Sequence, residues 1–220
     1  MLDIEGKIPR ALDALGPMAG SDVLLVDAAE GARARQLALL GARLTLLERG
    51  AERAEALRRA IDGSPTVMVR EGLPTATGLP DGSVDRVVSC WSAFRDGREP
   101  EAAEAHRVLR PGGRLLVLHD YGRDDVSRLR GTDLPEYGAW SRRDGWFLRS
   151  GFKVRVVHCW WTFDSVETAS EFLADAFEDR GREVAATMRR PRLSYNVAIY
   201  HRARGENKTE AELVGAARAR

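Results

Sequence analysis

The chain has few cysteines, no long apolar segment and almost no excess of charge of either sign. Its 220 residues include two cysteines, too few for a disulfide framework, which is typical of a reducing compartment. No apolar run approaches the roughly 20 residues that a membrane-spanning helix needs, and the amino-terminal segment lacks a signal-peptide pattern. These absences predict a soluble, cytoplasmic protein that does not enter a membrane.

The balance of charge also limits the expected partners. The chain has 34 basic and 33 acidic side chains, a formal net charge of +1, which neither demands nor excludes a nucleic-acid partner. The one tight basic group, Arg189, Arg190 and Arg192, lacks the interleaved aromatic residues typical of single-strand binding. We therefore expect a small-molecule ligand rather than nucleic acid, and the sequence defines no oligomeric state.

Apolar runs alternate with amphipathic segments through the first 120 residues. This pattern predicts an amino-terminal helix over 4–15, strands at 22–27, 43–48, 66–70, 84–88 and 114–119, and helices at 33–40, 51–61 and 99–109. The strands are apolar almost throughout, so we expect a mainly parallel sheet covered by helices on both faces, an α/β fold. A chain of this length buries one substantial core, which predicts one domain over residues 1–204 and a mobile tail over 205–220.

The second half of the chain has a different rhythm. Residues 122–138 are polar and contain glycine and proline, which predicts a long loop. A helix is expected at 140–149, a strand at 153–163, and a last strand at 193–201. Between these strands, Asp164 with Glu167 three positions later has the spacing of a capping box, which predicts a helix starting there.

The most informative segment is residues 81–120, which contains two apolar strands joined by a helix that ends at Pro111-Gly112-Gly113. Strand, helix, Pro-Gly-Gly stop and strand form a parallel crossover unit, and the Arg-Val-Leu before the stop strengthens the pattern. The unit resembles that of class I S-adenosylmethionine-dependent methyltransferases, and the resemblance extends over residues 20–203. It implies a Rossmann-like, doubly wound sheet of seven strands in the order 3-2-1-4-5-7-6, the seventh antiparallel. It also implies S-adenosylmethionine as the cofactor.

The turn after the first strand departs from the family pattern. In that family the strand ends in a turn with three glycines, where backbone approaches the cofactor without an intervening Cβ. Here Asp27 and Ala29 occupy the first two glycine positions, and Gly31 is retained at the third. We expect Asp27 to add bulk and a repelling charge beside the cofactor. The alternative is an ordinary strand-to-helix turn in which Asp27 or Glu30 serves the helix amino terminus.

Two further positions correspond to acidic residues of the family. Glu48 ends the second strand, and the resemblance implies that it accepts hydrogen bonds from both ribose hydroxyls; the alternative is a solvated strand-end carboxylate. Leu73 stands where the family has an acid that binds the adenine amine, so that hydrogen bond is expected to be lost. Glu71, Thr75 or Thr77 could replace it.

The candidate chemical residues follow the fourth and fifth strands, because ligands of open α/β sheets bind at the carboxyl ends of strands. Ser89 and Trp91 are expected to contact the cofactor. His119 is a candidate general base, oriented by Asp120, with Tyr121 or Trp91 shaping the acceptor pocket. Methyl transfer mainly needs alignment of the reacting atoms, so a general base is optional for many acceptors. The alternative is that all of these are ordinary strand-end residues.

These patterns support two hypotheses of different classes. The first is a methyltransferase that uses S-adenosylmethionine and acts on a small molecule. The second is a non-catalytic methyltransferase-like protein that binds a ligand or acts as a scaffold. A dinucleotide-dependent oxidoreductase is a weaker third, because Asp27 and Ala29 also break its glycine fingerprint. No metal site is expected, because the only neighbouring His and Cys side chains, His158 and Cys159, alternate along one strand.

Overall fold

A seven-stranded sheet forms the centre of the computed structural model, which describes residues 3, 5–29, 31–61, 65–95, 98–131 and 139–205. The strands are β1 Asp22–Val26, β2 Arg43–Glu48, β3 Val67–Glu71, β4 Val84–Cys90, β5 Leu109–Asp120, β6 Lys153–Thr162 and β7 Arg192–Ala203. The helices are α1 Lys7–Leu15, α2 Ala32–Leu39, α3 Ala51–Ala60, α4 Arg98–Val108, α5 Asp125–Arg130, α6 Trp146–Arg149 and α7 Val166–Thr187.

The strand order is β3-β2-β1-β4-β5-β7-β6, which confirms the predicted topology. Strands β1 to β5 pair in parallel, and β7 is antiparallel to both β5 and β6. β6 therefore runs in the same direction as the first five strands. The carboxyl ends of six strands consequently lie at one edge of the sheet, where a ligand is expected.

Side chains of β5 alternate between the two faces of the sheet. Leu116 and Leu118 belong to the core under α1, α2, α3 and α7, whereas Leu115 and Val117 belong to the core under α4 and α6. A strand places successive side chains on opposite faces. The two residues that end β5, His119 and Asp120, therefore leave the strand on opposite faces.

Two local predictions were wrong. The segment predicted as a loop contains α5, where Asp124 caps the helix by accepting the Ser127 N–H at 2.7 Å. Buried Val126 and Leu129 attach this helix to the core, and two apolar positions are too few to show a helical period. Residues 132–138 and the predicted tail from 206 onward lie outside the described residues.

The second wrong prediction concerns the cap of α7. The helix is capped by Ser165, which accepts the Thr168 N–H at 3.1 Å, rather than by Asp164.

The helix predicted over 140–149 is shorter than expected. α6 covers Trp146–Arg149. β5 also begins earlier than predicted, at Leu109, with its pairing to β4 shifted between Val84 and Arg86. The Pro-Gly-Gly segment therefore forms an irregularity at the start of the strand. None of the helices in the described ranges combines the length and the apolar composition that a membrane span requires.

Candidate functional site

A cavity of about 690 Å³ opens at the carboxyl ends of β1, β2 and β4. Its lining consists of two acids, two arginines and a group of small, sulfur-containing and aromatic side chains: Asp27, Ala29, Glu48, Arg49, Arg53, Ala56, Cys90, Trp91 and Ser92. Cavities that hold small molecules and cofactors usually measure about 300–1,000 Å³. Both the position and the size of this cavity suit a small-molecule ligand.

The turn after β1 keeps the backbone conformation of a glycine-rich turn although two of its three glycine positions carry side chains. Asp27 and Ala29 both have φ of +51°, and Gly31 has φ of +77°. Asp tolerates this left-handed region better than Ala, for which it is strained. The turn is held by main-chain hydrogen bonds, including that from Asp27 N to Leu47 O at 2.8 Å. The surrounding contacts therefore impose the conformation that the residue types disfavour.

Glu48 joins this turn to the cavity. Its side chain is buried, with 1% of its surface exposed, and Oε1 accepts the Ala29 N–H at 2.6 Å. Burial raises the pKa of the carboxyl, while the Ala29 and Ala28 backbone hydrogen bonds oppose that shift. A carboxylate offers about four acceptor sites, so the bond to Ala29 leaves others for a ligand. The predicted role in ribose binding stays a prediction.

Asp27 is paired with an arginine rather than directed at an empty site as an isolated charge. The Arg49 guanidinium donates to both oxygens of Asp27, with Nη2 at 3.1 Å from Oδ2. The same Nη2 lies 3.9 Å from Glu101 Oε1. Arg49 therefore offsets part of the Asp27 charge, and the expected repulsion of the cofactor stays a prediction. Arg49 directly follows β2, and that strand-end position was the signal that could have identified it.

Trp91 forms one wall of the cavity and is held from two sides. Its Nε1–H donates to Asp120 Oδ1 at 2.6 Å, and the Arg33 guanidinium lies 5.3 Å from its ring centre. The Trp91 backbone has φ of +56°, which is unusual for a large residue, and its N–H donates to Leu118 O at 2.9 Å. These contacts fix the indole plane against the cavity.

Three residues predicted to bind the cofactor do not line the cavity. Ser89 is fully buried, and its Oγ accepts the Ala93 N–H at 3.2 Å, a bond that shapes the turn after β4. Leu73 is 51% exposed and forms an isolated bridge with Ala76. Gly31 begins α2 behind the turn. Cys90 does line the cavity, and burial raises the pKa of its thiol to about 12, so the thiol is protonated at neutral pH.

Asp120 does not orient His119, and this part of the prediction was wrong. The Asp120 carboxylate accepts hydrogen bonds from Trp91, from the Tyr195 hydroxyl and from Arg130 Nη1, the last at 2.7 Å. All three donors lie on the face of the sheet opposite to the His119 ring. Asp120 instead supports the cavity wall through Trp91.

His119 is enclosed by aromatic side chains. Its ring is fully buried and lies 4.5 Å from the Trp140 ring and 6.1 Å from the Phe147 ring, centre to centre. Neither ring nitrogen has a hydrogen-bond partner in the described ranges, although the backbone of Ala93 approaches the ring. Burial lowers the His119 pKa to about 3, so the imidazole is neutral at physiological pH.

Tyr121 follows β5 and is half-buried beside the core under α4 and α6. The Arg123 guanidinium lies 5.9 Å from its ring centre, and Tyr121 N donates to Asn196 O at 2.9 Å. Tyr121 is not among the cavity-lining residues. The structure thus does not bring His119, Asp120 and Tyr121 together as one catalytic group.

We expect His119→Phe to remove part of the acid sensitivity of folding. The neutral folded imidazole has a pKa of about 3, below the 6.5 of an unfolded histidine, so the wild type loses stability as the pH falls below 6.5. Between pH 7.5 and pH 5.5 this loss is about 1.4 kcal/mol, and Phe should abolish it. Urea unfolding of both proteins at the two pH values measures the difference. An equal loss in both would show that His119 is protonated or solvated in the folded state.

Comparisons with known proteins add to this geometry. Residues 24–117 match the family model described as a methyltransferase domain. A solved structure from Anabaena variabilis, provisionally assigned as a methyltransferase of an antibiotic biosynthesis pathway, is 16% identical with a TM-score of 0.62, covering 88% of this chain and 96% of that one. One from Anaeromyxobacter dehalogenans, provisionally assigned as a type II methyltransferase, is 18% identical with a TM-score of 0.61, covering 89% and 95%.

A third similar structure is a geranyl diphosphate methyltransferase solved with GPP and sinefungin. It is 18% identical to this chain with a TM-score of 0.56, and the match covers 91% of this chain and 79% of that one. Among curated proteins, human inositol-trisphosphate 3-kinase B is 27% identical over 143 residues, 61% of this chain. The chain spans 13% of that kinase's length, so this match supports no inference about kinase activity.

Proposed function

We propose that this chain is a class I methyltransferase that binds S-adenosylmethionine in the cavity beside Glu48 and methylates a small molecule in the cytoplasm. The match of residues 24–117 to a methyltransferase domain model and the strand order with its antiparallel seventh strand support this assignment. The observation that carries the proposal is the buried carboxylate of Glu48 in the wall of a 690 Å³ cavity at the end of β2. A buried carboxylate with free acceptor sites favours a ligand that presents hydroxyl donors.

The residues around Glu48 fit the other parts of the cofactor. Arg53 lines the cavity and would hold the carboxylate of its amino-acid portion, whereas the Arg49 guanidinium is paired with Asp27. The indole of Trp91 supplies an apolar wall of the kind that small-molecule sites use.

Other features weaken the fit without removing it. Ala29 and Asp27 each place a Cβ where glycine would leave space for the ligand. Leu73 has no carboxylate and lies outside the cavity, so it cannot accept a hydrogen bond from the adenine amine. The lost hydrogen bond costs about 0.5–1.5 kcal/mol of binding free energy. We therefore expect weak binding, with a dissociation constant of tens of micromolar or more, on the scale of about tenfold for each 1.4 kcal/mol.

Methyl transfer requires mainly that the nucleophile, the methyl group and the sulfur be aligned. The cofactor, when bound, supplies an electrophilic methyl group. Asp120 holds Trp91 as a fixed wall, which restricts the position of a nucleophile in the cavity. Asp120 is therefore proposed as a positioning residue. His119 and Tyr121 lie away from the cavity lining, and their predicted catalytic roles require an acceptor that reaches the other side of β5.

The choice of a small-molecule acceptor draws support from two similar structures. One is described as acting on geranyl diphosphate, and the other is assigned to an antibiotic biosynthesis pathway. Both descriptions refer to those proteins. For this chain they favour a small acceptor over a macromolecule, in line with the balanced net charge of +1.

Calorimetric titration with S-adenosylmethionine and with S-adenosylhomocysteine tests the proposal. We expect one site for each, with dissociation constants of roughly 10–500 µM. Glu171→Ala, which changes an exposed acid on α7 outside the cavity lining, is the control and should bind as the wild type does. The absence of binding up to millimolar ligand by a folded protein would favour the non-catalytic alternative.

A further inference from the structure

A second cavity, which we call the arginine groove, lies between α5, α7, the end of β6 and the start of β7. It measures about 450 Å³. Its lining includes Arg128, Arg189, Arg190, Arg192, Trp160 and Met188. None of its lining residues lines the cavity beside Glu48, so the two cavities are separate sites.

The charge of the arginine groove is strongly positive. Its one acidic lining residue, Asp125, is already used: the carboxylate accepts the Ser194 hydroxyl at 2.6 Å and the Ser194 N–H at 2.9 Å, and it pairs with Arg128 at 3.3 Å. In the described part of the chain, Arg189, Arg190 and Arg192 form no ion pair with a carboxylate, and Arg192 attracts only the exposed Glu5 carboxylate at longer range. Three guanidinium groups around one cavity create a field that attracts an anion.

A simpler explanation accounts for the arginines at the end of α7 but not for Arg192. Helix carboxyl termini favour basic residues, and α7 ends at Thr187, just before Arg189 and Arg190. Arg192 belongs to β7 instead, and its guanidinium lies 4.2 Å from the centre of the Trp160 ring. This stacking holds a planar, charged donor group in a fixed position at the wall of the groove.

The floor of the groove is apolar. Leu193 is buried, and Val184 and Met188 are half-buried beside it. Methionine adapts its shape to the group packed against it, and the Trp160 ring adds a flat apolar edge. An anion with an attached apolar group would therefore satisfy both the arginines and the floor.

We propose that the arginine groove binds the phosphate monoester of a small apolar or aromatic alcohol. Guanidinium groups donate pairs of parallel hydrogen bonds that match phosphate oxygens, and a phosphate dianion can pair with several arginines at once. The volume of about 450 Å³ lies in the range of small-molecule sites and confines the ligand to one groove. The site does not depend on the cofactor, and its ligand is bound whether or not the cavity beside Glu48 is filled.

Titration of the full chain with 1-naphthyl phosphate in low-salt buffer tests the site, without S-adenosylmethionine present. We expect one binding site, and a loss of affinity of at least about tenfold in Arg192→Ala, since charge and stacking are removed together. Arg190→Ala, an exposed change that leaves the fold intact, should also weaken binding. Arg182→Ala is the control: this exposed arginine on α7 pairs with Asp179, lies outside the groove, and should change affinity less than twofold.

Two further titrations identify what the groove recognises. We expect inorganic phosphate and 1-naphthol each to bind more weakly than 1-naphthyl phosphate, because each satisfies half of the site. No binding by the wild type, or an equal loss in Arg182→Ala, would overturn the proposal. Tighter binding of a short single-stranded oligonucleotide would overturn it in favour of nucleic acid. A separate titration with S-adenosylmethionine keeps failure here distinct from failure of the proposed function.

Discussion

Replacing Glu48 by alanine should weaken the binding of S-adenosylhomocysteine by about 5- to 150-fold, equivalent to about 1–3 kcal/mol. The alanine removes the charged acceptor from the cavity wall, where Glu48 is 1% exposed. It also removes the acceptor of the Ala29 N–H, whose bond to Oε1 is 2.6 Å long. Ligand binding and the shape of the turn therefore change together. Calorimetry measures the affinity of the variant and of the wild type.

Two other variants separate these effects. Glu48→Gln retains an oxygen that can accept from Ala29 but loses the charge, so we expect an intermediate loss of affinity. Glu171→Ala removes an exposed carboxylate on α7, outside the cavity lining, and should leave affinity unchanged. Because burial raises the Glu48 pKa, binding should also weaken with falling pH before an ordinary Glu would protonate. Unchanged affinity in Glu48→Ala would remove this residue from the site.

The double change Asp27→Gly with Ala29→Gly should tighten S-adenosylmethionine binding by on the order of tenfold, or about 1.4 kcal/mol. Both positions have φ of +51°, which glycine adopts without strain, and glycine removes both Cβ atoms from the cavity edge. The change also releases Arg49 from the Asp27 carboxylate, to which it donates at 3.1 Å. The freed guanidinium can then bind the cofactor carboxylate.

Arg49→Ala in the same glycine background tests this explanation. If the released guanidinium binds the ligand, the triple variant should lose most of the gained affinity. If only the removal of side chains matters, the gain should persist. Weaker binding by the double glycine variant than by the wild type would contradict the account, because it would mean that Asp27 itself holds the ligand.

The sheet was predictable because each strand is an apolar run closed by glycine or a polar turn. The parallel arrangement follows from helices between the strands, and the antiparallel seventh strand followed from the family resemblance. α5 was missed because its stability comes from the Asp124 cap and from two buried side chains, Val126 and Leu129. A helix of 6 residues is too short for its apolar positions to show a helical period within a polar segment.

The candidate site was predictable in part. Glu48 follows from its place at the end of an apolar strand, and the structure puts it in the cavity wall. The bond between Arg49 and Asp27 joins two separate turns, so spacing along the chain does not show it. The separation of His119 from Asp120 could have been predicted, because adjacent strand residues face opposite sides of a sheet. Leu73 was placed by counting alone, and the exposed bridge to Ala76 carries it away from the cavity.

A crystal structure of the chain with S-adenosylhomocysteine tests the central claim most directly. The account predicts the ligand in the cavity at the ends of β1, β2 and β4, with ribose hydroxyls about 2.5–3.0 Å from the Glu48 carboxylate oxygens. It also predicts the indole of Trp91 in place at the wall, still bonded to Asp120. A ligand bound elsewhere, or crystals that hold none at saturating concentration, would contradict it.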